Sequence, residues 1–551
     1  MAARREEPGR WTPGVRRWGD SVYSPHVTTP AEPRPGALES LGRALRSWRT
    51  ASVALLSFSS GLPLGLVWYS IPDWMRDIGV DIRVVGLFTL AQAPWAFKVV
   101  WSPLMDRYAP PFWGRRRGWM ALTQIALAVL GLLLAGVGDR PEAIWVVGAL
   151  ALAIALASAS QDIAIDAYAV EVLRDEEQGA AVGARIALYR AAMVVSGGAA
   201  ITAAGRLGWP AVNLLLALVY VPMLVLTWKA PEPESHTARP RSLREAVWHP
   251  FLGFLSRHRA IEILAFVLLY KFADQLAQAL TRPFLIDMGY SADHRGIALA
   301  TVGMVATIAG AFLGGWITTL AGLGHSLWIF GVLQIFSNLG YFLLARAGGP
   351  NLALMYAATS FELLTSGLGT GAFSVLLLRM TQKRFSATQY ALFSSLFALP
   401  RLLAGPVTGF VVDAVGWAAF FLSTIVMGIP GLVMLSRFVP IGVREPQFTV
   451  EAVVRREPLS RGSLTVRGIL GGLACGAAAA ILLALLAALK AMRETRGGLD
   501  LGRAFRALVT PASVGDWVQL VGIVAFALIG GLFAAAVAAA WHGAAISSET
   551  P

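Results

Sequence analysis

Uncharged apolar blocks long enough to cross a bilayer recur along this chain, and they constrain its fold more than any other feature. Ile144 to Ser160 is one such block, without a single charged residue. A spanning helix needs about 20 mostly apolar residues to cross roughly 30 Å of hydrocarbon. There, every backbone N–H and C=O has to be satisfied within the segment, which leaves only helices or closed barrels. The alternating stretches of about ten residues that build a barrel are absent. Composition agrees: 56% of the 551 residues are hydrophobic and 14% are charged, against about 25% charged in soluble domains. The expected fold is all-α and polytopic, with the lipid bilayer as its surroundings.

Fourteen spans are expected, at 50–71, 83–103, 118–138, 143–167, 183–205, 210–228, 260–286, 296–320, 325–345, 351–378, 387–412, 416–437, 467–489 and 514–541. The residues before the first span are polar and rich in Arg, with no cleavable apolar stretch, and read as a cytoplasmic tail. With the N-terminus inside, basic clusters fall on the cytoplasmic side after spans two, six, ten and twelve, as the positive-inside rule requires. One loop breaks that rule. Lys490, Arg493, Arg496, Arg503 and Arg506, between the last two spans, fall outside. The net charge of +13 is concentrated in clusters between apolar blocks, a pattern for anionic lipid rather than for nucleic acid. The expected divisions are a basic tail (1–49), a six-helix bundle (50–229), a cytoplasmic linker (230–259) and a second six-helix bundle (260–437). A second linker (438–466), two further helices (467–541) and a short tail (542–551) follow.

The two bundles share an internal repeat. Arg190, Ser196-Gly197-Gly198 and Gly208-Trp209 return as Arg401, Ala404-Gly405-Pro406 and Gly416-Trp417, about 208 to 211 residues later. Parallel halves of this kind, with a site between them near the midplane, are the design of major-facilitator transporters.

Charges at membrane depth face a bundle interior or a wet cavity. Asp162 and Asp166 share a helix face in span four, flanked by Gln161. Repulsion between two poorly hydrated carboxylates favours a proton on one of them. An ion pair with Arg185 or Arg190 is the alternative, and it fits Asp166 better than Asp162. Lys271 and Asp274, three apart in span seven, either neutralise each other or line a cavity together with Gln275 and Gln278. Glu362, mid-span with no local partner, is a second proton-site candidate, with Arg401 as its alternative mate. Arg190 and Arg401 either bind an anionic solute group or serve as counter-ions. Lys98 is expected to snorkel to the cytoplasmic surface. Pro63 between Gly61 and Gly65 marks either a hinge or a close helix contact.

The segment Trp101-Ser-Pro-Leu-Met-Asp-Arg-Tyr108, followed by Gly114-Arg-Arg-Arg-Gly-Trp119, resembles the loop between the second and third helices of the major facilitator superfamily. Ala159-Ser-Gln-Asp-Ile163, Leu269-Tyr-Lys271 with Asp274, Phe361-Glu362, Phe385-Ser-Ala-Thr-Gln389 and Gly405-Pro406 extend the resemblance, in order, to the AmpG muropeptide permease family. It runs from about residue 50 to 437. The resemblance implies import of anhydro-muropeptides, a glycopeptide cargo of peptidoglycan recycling, across the bacterial inner membrane, driven by the proton gradient without a bound cofactor. It implies a link to β-lactamase induction, a role for Gln161 and Asp162 in transport, and two helices beyond twelve in long members. Asp106, Arg107, Arg115, Arg116 and Arg117 would form a conformational latch. The long basic tail and the region after 440 depart from the family pattern.

Other readings are a carrier of a siderophore, a peptide or acetyl-CoA, or a sensor without flux. An enzyme is not expected: the sequence has no HExxH and no GxSxG in a suitable context, nor a His cluster or a Walker A motif. The single Cys475 excludes a disulfide framework, and no metal site is expected. A monomer is expected.

Overall fold

The computed structural model describes residues 42, 46–80, 91, 93–138, 140–233, 242–255, 260–347, 349–446, 459–495, 498, 500–511 and 514–541. Most of the expected N-terminal tail, parts of both linkers and the C-terminal tail lie outside these residues. Among the described residues every regular element is helical. The first seven helices are α1 (Trp48–Asp77), α2 (Ala93–Phe97), α3 (Ser102–Arg107), α4 (Arg115–Val137), α5 (Ile144–Val172), α6 (Gln178–Leu207) and α7 (Trp209–Lys229). α8 (Leu243–Leu255) lies in the connection that follows. Then come α9 (Ala260–Tyr270), α10 (Phe272–Asp287), α11 (Asp293–Ala321), α12 (Leu323–Arg346), α13 (Leu352–Met380) and α14 (Ser386–Phe438). α15 (Arg461–Thr495), α16 (Leu501–Val509) and α17 (Val514–Trp541) complete the chain.

Eleven helices among the described residues are long and apolar enough to cross a membrane. The expected spans 83–103, 260–286 and 387–412 are not among them. Residues 81–90 fall outside the description, span seven is broken at Lys271, and the side chains of 398–411 fall outside the description.

Four glycines organise the bundle. Gly114, Gly208, Gly322 and Gly416 take φ values of 79°, 79°, 88° and 77°, with extended ψ of −177°, 155°, 156° and 166°. That region of backbone space is open essentially to glycine alone. Gly114 and Gly322 lie 208 residues apart, as do Gly208 and Gly416, and 94 residues separate the members within each half. One corner, repeated four times, therefore turns the chain into α4, α7, α12 and the second part of α14.

Small residues set the helix contacts, as expected where lipid gives helices no hydrophobic reason to associate. A Cβ on Gly61 would lie 2.2 Å from the Tyr189 carbonyl oxygen, and one on Gly65 would lie 2.2 Å from Ser196 Oγ, so α1 lies directly on α6. Pro63 has no N–H to give the Ser59 carbonyl one turn earlier. Tyr220 OH of α7 donates to that oxygen at 3.3 Å. α6 meets α11 through Gly179, Gly183 and Gly315. This contact joins the first half to the second at the end that bears Arg115 to Arg117, called the basic end below.

The last helices form a separate hairpin. Gly468, Gly471, Gly472 and Gly476 of α15 pack on Ala527, Gly531 and Ala534 of α17. Ala536 and Ala539 of α17 join the main core beside Phe254 and Leu255 of α8.

Candidate functional site

Two buried polar clusters, one in each half, lie where the spanning helices are interrupted. In the first half a 3-10 turn, Lys98–Val100, separates α2 from α3. Lys98 Nζ reaches Asp166 Oδ2 at 3.1 Å. Arg185 of α6 pairs with the other Asp166 oxygen, and its guanidinium stands 5.8 Å from the centre of the Tyr390 ring on α14. One cation therefore touches both halves. One turn back along α5, Asp162 accepts a hydrogen bond from Ser60 Oγ of α1. Gln161 Nε2 donates to Ser59 Oγ at 2.5 Å. Two cations face two carboxylates, so this cluster is neutral when all four are ionised.

In the second half Lys271 (φ −105°, ψ 2°) breaks the helix between α9 and α10. Its fully buried ammonium lies 2.9 Å from Asp274 Oδ2 and donates to the Ser366 carbonyl at 3.1 Å. Ser366 Oγ donates to Asp274 Oδ2 at 2.9 Å. Gln278 Nε2 lies 2.8 Å from Ser366 Oγ and 2.9 Å from Glu362 Oε1. Tyr341 OH lies 3.4 Å from Glu362 Oε2. A polar chain thus runs from Lys271 to Tyr341. Among the described residues one cation here faces two carboxylates. With both carboxylates ionised the cluster is charged, and an uncompensated buried charge costs several kcal/mol. A single bound proton makes it neutral.

At the basic end the halves are locked together. Arg116 Nη2 lies 2.7 Å from Asp106 Oδ1 and 2.7 Å from Glu171 Oε1, with all three side chains almost wholly buried. Arg115 adds a second bond to Glu171 at 2.9 Å. The same acids reach the first turn of α14 in the other half. Asp106 accepts from the backbone N–H of Ala387 at 3.3 Å and of Thr388 at 2.9 Å, and from Thr388 Oγ1 at 2.7 Å. Ser386 Oγ donates to Glu171 at 2.6 Å. A carboxylate on a helix N-terminus is favoured by its unpaired N–H groups and its dipole. A second lock repeats this one: Arg379, 208 residues after Glu171, donates to Gln178 Oε1 at 3.2 Å, and Gln178 lies 208 residues before Ser386.

The major facilitator superfamily model matches residues 53–405. The anhydromuropeptide permease of Escherichia coli strain K12 is 43% identical over 399 residues, covering 71% of this chain and 80% of that protein. An uncharacterised protein of Haemophilus influenzae is 35% identical, covering 70% of this chain and 94% of its own. The chain belongs to the major facilitator superfamily. Solved structures share that fold. A proton:xylose symporter superposes with a TM-score of 0.57 at 12% identity, covering 73% of this chain and 98% of its own. A bacterial homologue of the iron transporter ferroportin, in its outward-facing state, gives 0.54 at 13% identity, covering 70% and 98%. The superfamily is a transporter class, so the chain is a membrane transporter and not an enzyme.

In this major facilitator fold, Gln161, Asp162 and Asp166 fall in the first-half cluster, and Lys271, Asp274 and Glu362 in the second. Glu362 has no partner within a helical turn, as read from the sequence, and finds Gln278 and Tyr341 on other helices. The Arg401 side chain lies outside the described residues. Arg190 is half-buried, with no hydrogen-bonded or ion-paired partner among the described residues, and Gln275 is half-buried one position after Asp274. Asp106, Arg115 and Arg116 form the lock. Arg117 pairs with Glu232 of the linker, and Arg107 stacks over Tyr108 at 5.4 Å. Gly61 and Gly65 are contact points between α1 and α6. A π-helical turn, Leu66–Ser70, follows them, and Ser70 Oγ donates to the Ser196 carbonyl at 2.6 Å.

Lys98 corrects the expectation that it snorkels: it is buried against Asp166, because α2 ends before the lysine and turns it inward. Glu171, Ser386, Thr388 and Arg379 escaped the sequence reading as lock residues. Their partners lie hundreds of positions away, and only the shared 208-residue offset links the two locks in sequence.

Proposed function

We propose that this chain is a proton-coupled importer of anhydro-muropeptides across the bacterial inner membrane. It works as a monomer by alternating access, with the N-terminus and the basic end in the cytoplasm. The cargo assignment is supported by the 43% identical Escherichia coli anhydromuropeptide permease. The orientation is supported by the basic loops. The observation that carries the coupling is the second-half cluster, where Lys271 pairs with Asp274 and Gln278 ties Glu362 into the same buried chain.

Cargo enters from the far end while the locks hold the basic end shut. Half-buried Arg190 suits a carboxylate of the cargo peptide, and Gln275 a sugar hydroxyl or amide. The Asp274–Glu362 pair takes its proton on the open side and loses it once the locks part. The first-half cluster is already charge-balanced, so Asp162 is the second choice for the proton and Asp166 a fixed counter-ion to Lys98 and Arg185.

The test is uptake of labelled GlcNAc-anhydroMurNAc-peptide into proteoliposomes under an inward proton gradient. Accumulation against the cargo gradient is expected, and its absence with correctly inserted protein would sink the cargo assignment. Glu362→Gln is expected to abolish accumulation while leaving cargo exchange at equal pH. Wild-type accumulation in that variant would move the coupling site to Asp162, where Asp162→Asn tests it.

A further inference from the structure

The basic loop that breaks the positive-inside rule contains α16, which carries two of its five cations, Arg503 and Arg506. Leu508 and Ala504 of α16 are buried in a small cluster with Ala484 and Ala488 of α15, flanked by Leu483 and by Ile523 of α17. The apolar run of α15 ends at Leu489, before Lys490, and that of α17 begins after Asp516. α16 therefore packs on the last two turns of one apolar run and beside the first two turns of the other. α16 lies at the boundary between lipid and water, and Trp517, a residue type that favours this boundary, is 56% exposed beside it.

α16 has three faces. Ala504 and Leu508 hold it to the hairpin. Leu501, Phe505 and Val509, at spacings of four, are exposed, Val509 by 75%. Arg503 and Arg506 form the third, and the Arg503 side chain is 86% exposed. Asp500 caps the helix, its carboxylate accepting from the Arg503 N–H at 2.9 Å. An exposed apolar stripe next to exposed arginines, on a helix at the membrane boundary, is the pattern of an interfacial helix attracted to anionic lipid.

We propose that α16 is a docking site for anionic phospholipid: Phe505 and Val509 rest among the upper acyl chains, and Arg503 and Arg506 hold the phosphate headgroups. Such pairing offsets the unfavourable placement of basic residues in this loop, whichever leaflet it faces. It also tethers the terminal hairpin to the surface of the bilayer. Neither buried cluster nor either lock is involved, so the proposal stands apart from the transport reading.

The test places a fluorescent label at position 505 (Phe505→Cys in a Cys475→Ser background) of the full-length protein in phosphatidylcholine vesicles. Brominated phosphatidylglycerol or brominated phosphatidylcholine is then added at equal mole fraction. Both lipids should quench the label, phosphatidylglycerol the more strongly. The preference should fall by roughly fivefold for each of Arg503→Gln and Arg506→Gln, the effect of one basic residue near an anionic surface. Size-exclusion profiles of the arginine variants check folding. Equal quenching by the two lipids, or a preference that survives the double substitution, overturns the proposal. Quenching by neither lipid overturns it as well, since α16 would then stand in water.

Discussion

Arg116 shows how a single side chain can hold a conformation. It is buried between Asp106 and Glu171, and through those acids it reaches the first turn of α14 in the other half. Removing one partner from a buried charge group leaves the others uncompensated, a cost of about 3–5 kcal/mol. That cost is greatest with the basic end closed, where α14 keeps water from the two acids. Arg116→Ala is therefore expected to shift the population toward an open basic end. The distance between spin labels at Glu176 and Lys383 should then lengthen, and an unchanged distribution would mean that the lock contributes nothing to closure. Lys98 makes the same point for the interior. Lys98→Met would leave Asp166 with Arg185 alone. Import is expected to fall at least about tenfold, since losing one partner of a buried pair is worth several kcal/mol. Parental uptake at full expression would show that the pair is dispensable.

At the scale of the helix, approach distance and corner geometry decide. A Cβ on Gly315 would lie 2.3 Å from the Gly179 carbonyl oxygen and 2.6 Å from the Gly183 Cα, both backbone atoms that cannot swing aside. Gly315→Val is expected to wedge α6 from α11 and open the basic end. The Glu176–Lys383 label pair reads this directly, and full transport with an unaltered distance would mean that the two helices do not need this contact. The repeated corner makes a separate prediction. Gly208→Ala and Gly416→Ala each force a side chain into backbone space that costs about 1–3 kcal/mol for residues other than glycine. Both variants should lose thermal stability by similar amounts, and a variant with the parental Tm would show that its corner relaxes.

For the whole molecule, the separation of the α15–α17 hairpin from both polar clusters gives an expected phenotype. The hairpin joins the core beside α8, away from the helices that carry Asp162 and Glu362. A chain ending at residue 458 is expected to import cargo with a lower Tm, and loss of uptake by a folded, inserted core would show that α8 needs its neighbour. Taken alone, the sequence determined that the chain spans a bilayer as helices, because apolar length and the demand for internal backbone hydrogen bonds act within each segment. It also gave the two-fold repeat and singled out Asp162, Lys271, Asp274 and Glu362, since a charge inside an apolar block stands out in any register. Tertiary structure decided which charges meet. Lys98 turns inward on a helix break, Glu362 finds Gln278 and Tyr341, and Glu171 and Asp106 close on residues more than 200 positions away. Those pairings depend on where helices stop and how closely glycines let them approach, quantities set by the packing of the whole bundle and not by any one stretch of chain.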